Sequence, residues 1–203
     1  MPTPSLATTL RDTGVGIGNL ERYRFDSMVL DPRYQHFIAE LITLRLFSIL
    51  EGAIADIAYK LVAGAAYLNG NHPIRLITAN SMASARTAML NYRRAKPRQN
   101  LRWTKAKDIR DSTSNVFPAT ESFITYARAH GYILDEMRKV RNYIAHRNAE
   151  SRQGYRQVIR ATYGANSKVS SGAFLASNRR RSVAKVDEYL ANAKVIISDL
   201  ARG

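Results

Sequence analysis

The feature that most constrains this chain is a long apolar helical pattern that begins at Asp31-Pro32. Aspartate is a common helix cap, and proline is well tolerated at the first helical position because that position needs no backbone N–H. From there the apolar spacing predicts a single helix that continues to Gly70-Asn71. Apolar residues occupy most of its circumference, so two sides of the helix must be covered. Either the rest of the chain or a second copy of it supplies that cover.

Further helical segments follow and no pair of strands is evident, so the predicted fold class is all-α, a bundle with a long central helix. The expected boundaries are Asn80 or Ser81 for the second helix, Thr120 for a third that Gly131 kinks or breaks, Asn148 for a fourth, and about Arg179 to Ala201 for the last. Residues 1–30 lack a sustained period and predict a loosely ordered lead-in with room for one short helix. We therefore expect one helical domain over residues 31–203, with a basic insertion at about 72–118.

The chain is strongly basic. It carries 31 Lys and Arg residues against 16 Asp and Glu residues, a net charge of +15. A surplus of this size indicates an anionic partner, and nucleic acid is the leading class. A membrane is disfavoured because the basic residues are not gathered on one face of an apolar amphipathic helix. A general solubility bias without a specific partner is the other interpretation.

Several classes of protein are disfavoured by what the sequence lacks. It has no cysteine, which removes disulfide frameworks, thiolate zinc sites and cysteine nucleophiles and fits a reducing cytosol. The first residues lack the apolar core of a signal peptide, so we expect a cytoplasmic protein. No phosphate-binding glycine loop or metalloprotease motif occurs, and the four histidines are far apart. The expectation is therefore no cofactor and no metal.

The insertion contains a dense basic run with aromatic residues among the cations. Between Asn91 and Arg110 eight basic residues accompany a single acid, Asp108, and Tyr92 and Trp103 lie among them. This mixture offers phosphate contacts beside stacking surfaces, as single-stranded nucleic acid favours. The candidate RNA-binding residues are Arg93, Arg94, Lys96, Arg98, Arg102, Trp103 and Lys105. The alternative is a solvated loop whose single tryptophan anchors packing.

The strongest chemical signal is Arg141-Asn142 followed by His146 near the end of an amphipathic helix. Arg141 and His146 differ by about 140° around that helix, so only a long arginine side chain or a second copy of the motif could bring both to one phosphate. Imidazole can remove or deliver a proton near neutral pH, and a guanidinium can hold two oxygens of a pentacovalent phosphate. The pair suits RNA cleavage without metal. A lone histidine near a helix end is also commonly a cap or a surface residue.

The string Arg141-Asn142-x-x-x-His146 resembles the motif of the HEPN superfamily, helical-bundle proteins marked by R-x(4-6)-H. The resemblance covers about residues 30–200, because the long helix with Leu50-Glu51-Gly52 and a closing helix near Val183–Leu200 follow the family's layout. It implies a homodimer that forms a metal-independent endoribonuclease from two copies of the motif. The 2′-hydroxyl would attack the adjacent phosphorus, with one His146 as base, the other as acid, and Arg141 stabilising the developing charge. Asn142 would orient His146 or the phosphate.

The resemblance also implies a stress-response, toxin–antitoxin or antiphage role, with an antitoxin or defence protein as partner. Glu51 lies in a mostly apolar stretch and is expected to pair with a cation, either to position Arg141 or as a structural salt bridge. Arg138 and Arg147 flank the motif and are expected to contact RNA. Asn148 departs from one branch of the family, which has tyrosine two places after the histidine, so regulation through that tyrosine is in doubt.

Two other functions fit the same sequence. The first is an HEPN-like module that binds RNA or single-stranded DNA without chemistry, on the strength of the net charge and the basic insertion. The second is an interaction module whose long apolar helix docks another protein. Loss of RNA cleavage on replacement of His146 would separate the enzyme from both.

Overall fold

A computed structural model of the chain describes residues 4–164, 167–178 and 181–203. Over these ranges it contains nine α-helices and no strand, which confirms the predicted all-α class. The helices are α1 Leu6–Ser27, α2 Pro32–Val62, α3 Met82–Asn91, α4 Ala106–Thr113, α5 Ser122–Ala129, α6 Gly131–His146, α7 Ala149–Tyr163, α8 Ser171–Ala176 and α9 Lys185–Arg202. None of the helices in these ranges combines the length and apolarity that crossing a membrane takes.

The chain divides into two compact units, each built from several stretches of sequence. The first unit comprises the residues up to Gly14, Leu50–Leu134 and Val195–Gly203. The second unit comprises Val15–Ile49 and Asp135–Lys194. Residues 1–30, expected to form a separate lead-in, contribute to both units, and the whole of the Arg141 to His146 motif belongs to the second.

Helix α1 is the largest difference from the sequence-based expectation, because a loosely ordered segment was predicted where the structure has a helix of 22 residues. Its buried positions recur every three or four residues, as a packed helix requires. These positions are Leu6, Thr9, Thr13, Ile17, Leu20, Arg24 and Ser27. Four of these seven buried residues are polar, so the spacing of apolar residues alone does not reveal the helix. Arg24 is buried because its Nη2 donates to the Ala176 carbonyl at 3.1 Å and its Nε lies 3.3 Å from Asp187.

Helix α2 begins where predicted, since the Asp31 carboxylate accepts a hydrogen bond from the Arg33 amide at 2.9 Å. It ends at Val62, so the predicted continuation to Gly70 is wrong. Gly64 has φ +105°, and Ala65 N–H donates to the Lys60 carbonyl at 2.9 Å. This Schellman turn satisfies the last carbonyls of the helix and stops it.

The apolar sequence continues past the end of α2 for a different reason. Tyr67 is buried outside any helix, and its hydroxyl donates to Glu121 at 2.5 Å. The Glu121 carboxylate also accepts from the Ile74 amide at 2.8 Å. A buried tyrosine and carboxylate therefore organise this turn of the first unit, and the helical period does not extend through it.

The remaining boundaries agree with the sequence in most places. The Ser81 and Ser84 side chains form a capping box at the start of α3, Asn148 caps α7, and the predicted break near Gly131 separates α5 from α6. Helix α9 begins at Lys185, and residues 179 and 180 of the predicted start lie outside the described residues. Helix α4, which packs against α3 and α5, was not predicted because most of its residues are charged or polar.

Candidate functional site

One of the arginines of the insertion that was predicted to contact RNA is part of the fold. Arg94 Nε donates to the Met89 carbonyl at 2.7 Å, and its Nη2 donates to the carbonyls of Asp111 and Ser112 and to Asn115 Oδ1 at 2.9–3.1 Å. Burial lowers the pKa of this guanidinium, and the nearby charge of Arg98 acts in the same direction. Arg94, predicted to contact RNA, thus joins α3 to the end of α4 and to Asn115, and it directs these donors inward.

Trp103 is likewise placed in the core of the first unit. It is 8% exposed, and its ring meets Tyr59 edge-on with the centroids 5.8 Å apart. Little of the indole face is open to a nucleic-acid base. Of the two interpretations of this tryptophan, its position favours the packing anchor.

The other predicted residues of the insertion lie at the surface. Arg93 is exposed, with its guanidinium 5.2 Å from the centre of the Tyr92 ring. Lys96 and Arg102 are exposed, and Arg98 and Lys105 are partly so. Within the described ranges, none of these five residues forms an ion pair with a carboxylate. These five cations of the insertion therefore remain open to an anionic ligand. Trp103, which was expected to stack on a base beside them, is buried.

A tight turn between two helices positions the motif of the second unit. Helix α6 ends at His146, and Arg147 follows with φ +48°, a left-handed conformation that few residues other than glycine adopt. Asn148 then caps α7 by accepting the Ser151 amide at 2.8 Å. Because Arg147 and Asn148 alone connect the helices, His146 is held close to the point where α6 and α7 meet.

Helices α6 and α7 line a cleft of about 320 Å³, which we call the histidine cleft. Helix α6 contributes Arg138, Lys139, Asn142 and His146 to its walls. The other wall comes from the start of α7 and includes Glu150, Ser151, Gln153, Gly154 and Gln157. The structure thus brings together two of the predicted catalytic residues, Asn142 and His146, and one predicted RNA-binding residue, Arg138.

Arg141 occupies a different side of α6. Its guanidinium lies 5.5 Å from the centre of the Phe47 ring, and Nη1 donates to Asn142 Oδ1 at 3.0 Å. Arg141 is not among the described residues that line the histidine cleft. The side-chain amide of Asn142 therefore connects the arginine to the cleft, while Arg141 and His146 of one chain do not line it together.

The His146 side chain is exposed and its ring forms no hydrogen bond or ion pair within the described part of the chain. A ring in this state can exchange protons with a ligand in the cleft. Arg138 and Lys139 bring two positive charges to the same cleft and share Asp135 at 2.7 and 2.8 Å. Burial alone would raise the pKa of Asp135, but hydrogen bonds from Lys139 and Arg138 outweigh it and hold that pKa below its usual value.

Two other predicted residues have different placements. Arg147 is largely exposed, and its guanidinium lies 3.6 Å from Glu40, a loose contact that leaves most of its donors for a ligand. Glu51 lies half-buried on α2 and belongs to the first unit, whereas the motif belongs to the second. Its role in positioning Arg141 stays a prediction.

Two features of the second unit were missed by the sequence analysis. One is a cleft with stacked tyrosines and three cations on the far side of α7. The other is an apolar surface at the turn between α1 and α2. The pair Arg152 and Arg156, one helical turn apart beside Tyr155, is the sequence signal that could have found the first.

Among the described residues, no group of three or more His, Asp or Glu side chains is arranged to hold a metal ion. Comparison of the chain with protein-family profiles, curated proteins and solved structures gives no match. Support for a function therefore comes from the residues and their geometry.

Proposed function

We propose that the chain is a metal-independent endoribonuclease of the HEPN type, with its catalytic centre at the histidine cleft. The observation that carries the proposal is that Asn142 and the unpaired His146 line one cleft, beside Arg138 and Lys139, in a chain of net charge +15. A cleft with a proton-transfer group and two cations suits a phosphodiester. The resemblance of Arg141-Asn142-x-x-x-His146 to the HEPN motif supplies the reaction class.

The reaction needs two proton transfers and one stabilised phosphorane. A neutral His146 imidazole removes the proton of a ribose 2′-hydroxyl, whose oxygen attacks the adjacent phosphorus. The bond from phosphorus to the 5′-oxygen breaks, and a second imidazole, in its protonated form, gives its proton to that leaving oxygen. The products are a 2′,3′-cyclic phosphate and a 5′-hydroxyl. The Arg141 guanidinium stabilises the charge on the non-bridging oxygens, and Asn142 orients it.

A second copy of the chain is required by this scheme. One chain provides a single His146, and its Arg141 lies over Phe47 and not in the histidine cleft. A two-fold pairing of the motifs would supply both histidines and bring the partner's arginine to the phosphate. The proposed site is therefore composite, and the dimer is part of it.

The second unit has an apolar surface suited to such pairing, formed by large side chains at the end of α1, the turn and the start of α2. Its members are Tyr23, Phe25, Met28, Val29, Leu30, Tyr34, Phe37 and Leu41, each 43–88% exposed. The four aromatic residues alone offer roughly 350–700 Å². A stable interface needs about 800 Å² from each partner, and Met28, Val29, Leu30 and Leu41 add their exposed area to that of the aromatic residues.

This apolar surface lies close to the motif along α2. Tyr34, Phe37 and Leu41 follow one another at helical spacing, and the same part of α2 provides Phe47 to Arg141 and Glu40 to Arg147. A second copy that covers this stretch of α2 would lie beside the residues that hold the motif. We therefore assign the surface to a second copy of the chain.

The direct test is a cleavage assay on a mixed RNA pool in EDTA, comparing the wild type with His146→Ala. Cleavage abolished in His146→Ala, with cyclic phosphate or 3′-phosphate ends from the wild type, is the expected result. His72→Ala is the matched control, because His72 is an exposed histidine of the first unit. Equal cleavage by wild type and His146→Ala would overturn the proposal. Salt-sensitive RNA retention without cleavage by either protein would make the chain a binding module.

A further inference from the structure

The second unit contains another cleft, of about 480 Å³, between α6, α7 and the segment before α8. We call it the tyrosine cleft, because Tyr143 and Tyr155 line it with their rings stacked 4.4 Å apart at 7°. The Tyr155 hydroxyl donates to the Val169 carbonyl at 3.1 Å and so ties α7 to residues 167–170. The aromatic wall is therefore fixed in place by packing and by a hydrogen bond.

Three cations line the tyrosine cleft. Arg152 and Arg156 lie one turn apart on the same face of α7, and Lys168 comes from the segment before α8. Within the described ranges, none of the three has a carboxylate within salt-bridge distance. Glu40 is close enough to influence Tyr155, but its carboxylate already contacts Arg147 and Ser171. Three unpaired like charges around one cavity repel each other unless an anion joins them.

We propose that the tyrosine cleft binds one nucleotide of a single-stranded RNA. Its base stacks on Tyr143, and its phosphate lies among Arg152, Arg156 and Lys168. The volume is within the range of small-molecule sites, and an aromatic wall beside arginines is the combination that holds an unpaired nucleotide. A bare anion would contact the cations alone, whereas a nucleotide also contacts the aromatic wall.

This inference rests on the proposed function, since it extends the same RNA path. Adjacent residues of α6, Asn142 and Tyr143, line the histidine and tyrosine clefts respectively, and α7 forms a wall of both. An α-helix is about 10–12 Å across with its side chains, so the two clefts lie within reach of one short strand. The tyrosine cleft would hold a nucleotide near the scissile phosphate and select for single-stranded substrate.

The test measures binding separately from cleavage. All variants are made in the full chain carrying His146→Ala, and the affinity for a short fluorescent single-stranded RNA is measured at several salt concentrations. Arg152→Gln combined with Arg156→Gln is expected to weaken binding at least about tenfold and to lower the salt slope by about 0.7 for each phosphate that the variant no longer neutralises. Arg160→Gln is the matched control, because Arg160 is exposed on α7 and is not among the described residues of the cleft.

The aromatic wall has its own pair of variants. Tyr143→Leu is expected to weaken binding roughly 5- to 150-fold, the range for removal of one base stack, and Tyr143→Phe is expected to keep the affinity. Thermal unfolding checks that each variant is folded. Weaker binding by the arginine variants but native binding by Tyr143→Leu would mean that the cleft holds a bare anion, which overturns the nucleotide assignment.

Failure of the proposed function is distinguishable from failure of this inference. If the protein with native His146 does not cleave RNA, but the arginine and tyrosine variants still weaken binding, the tyrosine cleft stands and the catalytic proposal falls. If the native protein cleaves and these variants bind RNA like Arg160→Gln, the cleft is not a subsite and the catalytic proposal stands. If the arginine and tyrosine variants bind RNA more weakly and the protein with native His146 cleaves RNA, both the tyrosine cleft and the catalytic proposal are supported.

Discussion

Removal of the Lys185 side chain should destabilise the protein severely, because it would leave a buried carboxylate without its cation. Lys185 is 7% exposed and Glu136 is 5% exposed, and Lys185 Nζ lies 2.8 Å from the Glu136 carboxylate. The Tyr189 hydroxyl donates to the same carboxylate at 2.9 Å, and Glu188 gives the lysine a second partner at 2.9 Å. The network joins α6, which carries the motif, to α9.

The expected loss of stability depends on which buried charged group loses its partner. In Lys185→Ala the Glu136 carboxylate keeps only the tyrosine hydroxyl, so the protein should lose about 3–5 kcal/mol of stability. In Glu136→Gln the lysine keeps Glu188 and the amide can still accept from Tyr189, so the cost should be about 1–3 kcal/mol. A typical domain is stable by about 5–15 kcal/mol, so the first change removes a large share.

Equilibrium unfolding in urea, followed by circular dichroism, measures both changes in the free energy of unfolding. Lys194→Ala is the control, because Lys194 pairs with Glu21 at 2.6 Å on the surface and its removal should cost about 0–1 kcal/mol. A destabilisation by Lys185→Ala no greater than that by Lys194→Ala would refute the reasoning that burial decides the cost.

Acid pH, two glycines and the apolar surface offer three more tests. Asp135 contributes stability through its two cations, and this contribution should be fully present above the ordinary aspartate pKa of 3.8. It should be lost as the pH falls through the lowered pKa of Asp135. The difference in melting temperature between wild type and Asp135→Asn should therefore vanish at acid pH. Gly172→Ala should destabilise the protein by about 1–3 kcal/mol in urea unfolding, because the new Cβ would lie 2.9 Å from the His36 carbonyl oxygen. In Gly52→Ala the new Cβ meets nothing within 4 Å, so this change should stabilise α2 by about 0.5–1 kcal/mol. Phe37→Glu should convert a dimer to a monomer in light scattering, and an unchanged mass would remove the apolar surface from the pairing.

The sequence predicts a helix correctly where the buried positions of that helix are occupied by apolar residues. Helix α7 and the start of α2 were predicted because Asn148 and Asp31 cap them and apolar residues mark the buried side. Helix α1 was not, because the polar residues Thr9 and Arg24 occupy buried positions, where their side chains form hydrogen bonds with residues distant in the sequence. Such partners cannot be read from local sequence.

The candidate site shows the same division. The positions of Arg141 and His146 on different faces of α6 follow from helical geometry alone, and the structure agrees. The burial of Trp103 against Tyr59 and the inward hydrogen bonds of Arg94 depend on residues distant in sequence. Composition identified the insertion as basic, but it could not distinguish the cations that support the fold from those that face solvent.

The central claim is that one active site takes its residues from two chains, and a subunit-mixing assay tests it most directly. Wild-type protein at fixed concentration is allowed to exchange subunits with increasing His146→Ala, and RNA cleavage in EDTA is measured. If both histidines are needed, activity should fall to about half with an equal amount of the variant and to about a quarter with a threefold excess.

Competition for RNA is controlled with His146→Ala combined with Phe37→Glu, which should not exchange and should leave wild-type cleavage unchanged. Graded inhibition by the first variant and none by the second is the predicted result. Full wild-type activity in the presence of excess His146→Ala would show that each chain cleaves alone, and the composite site would be wrong.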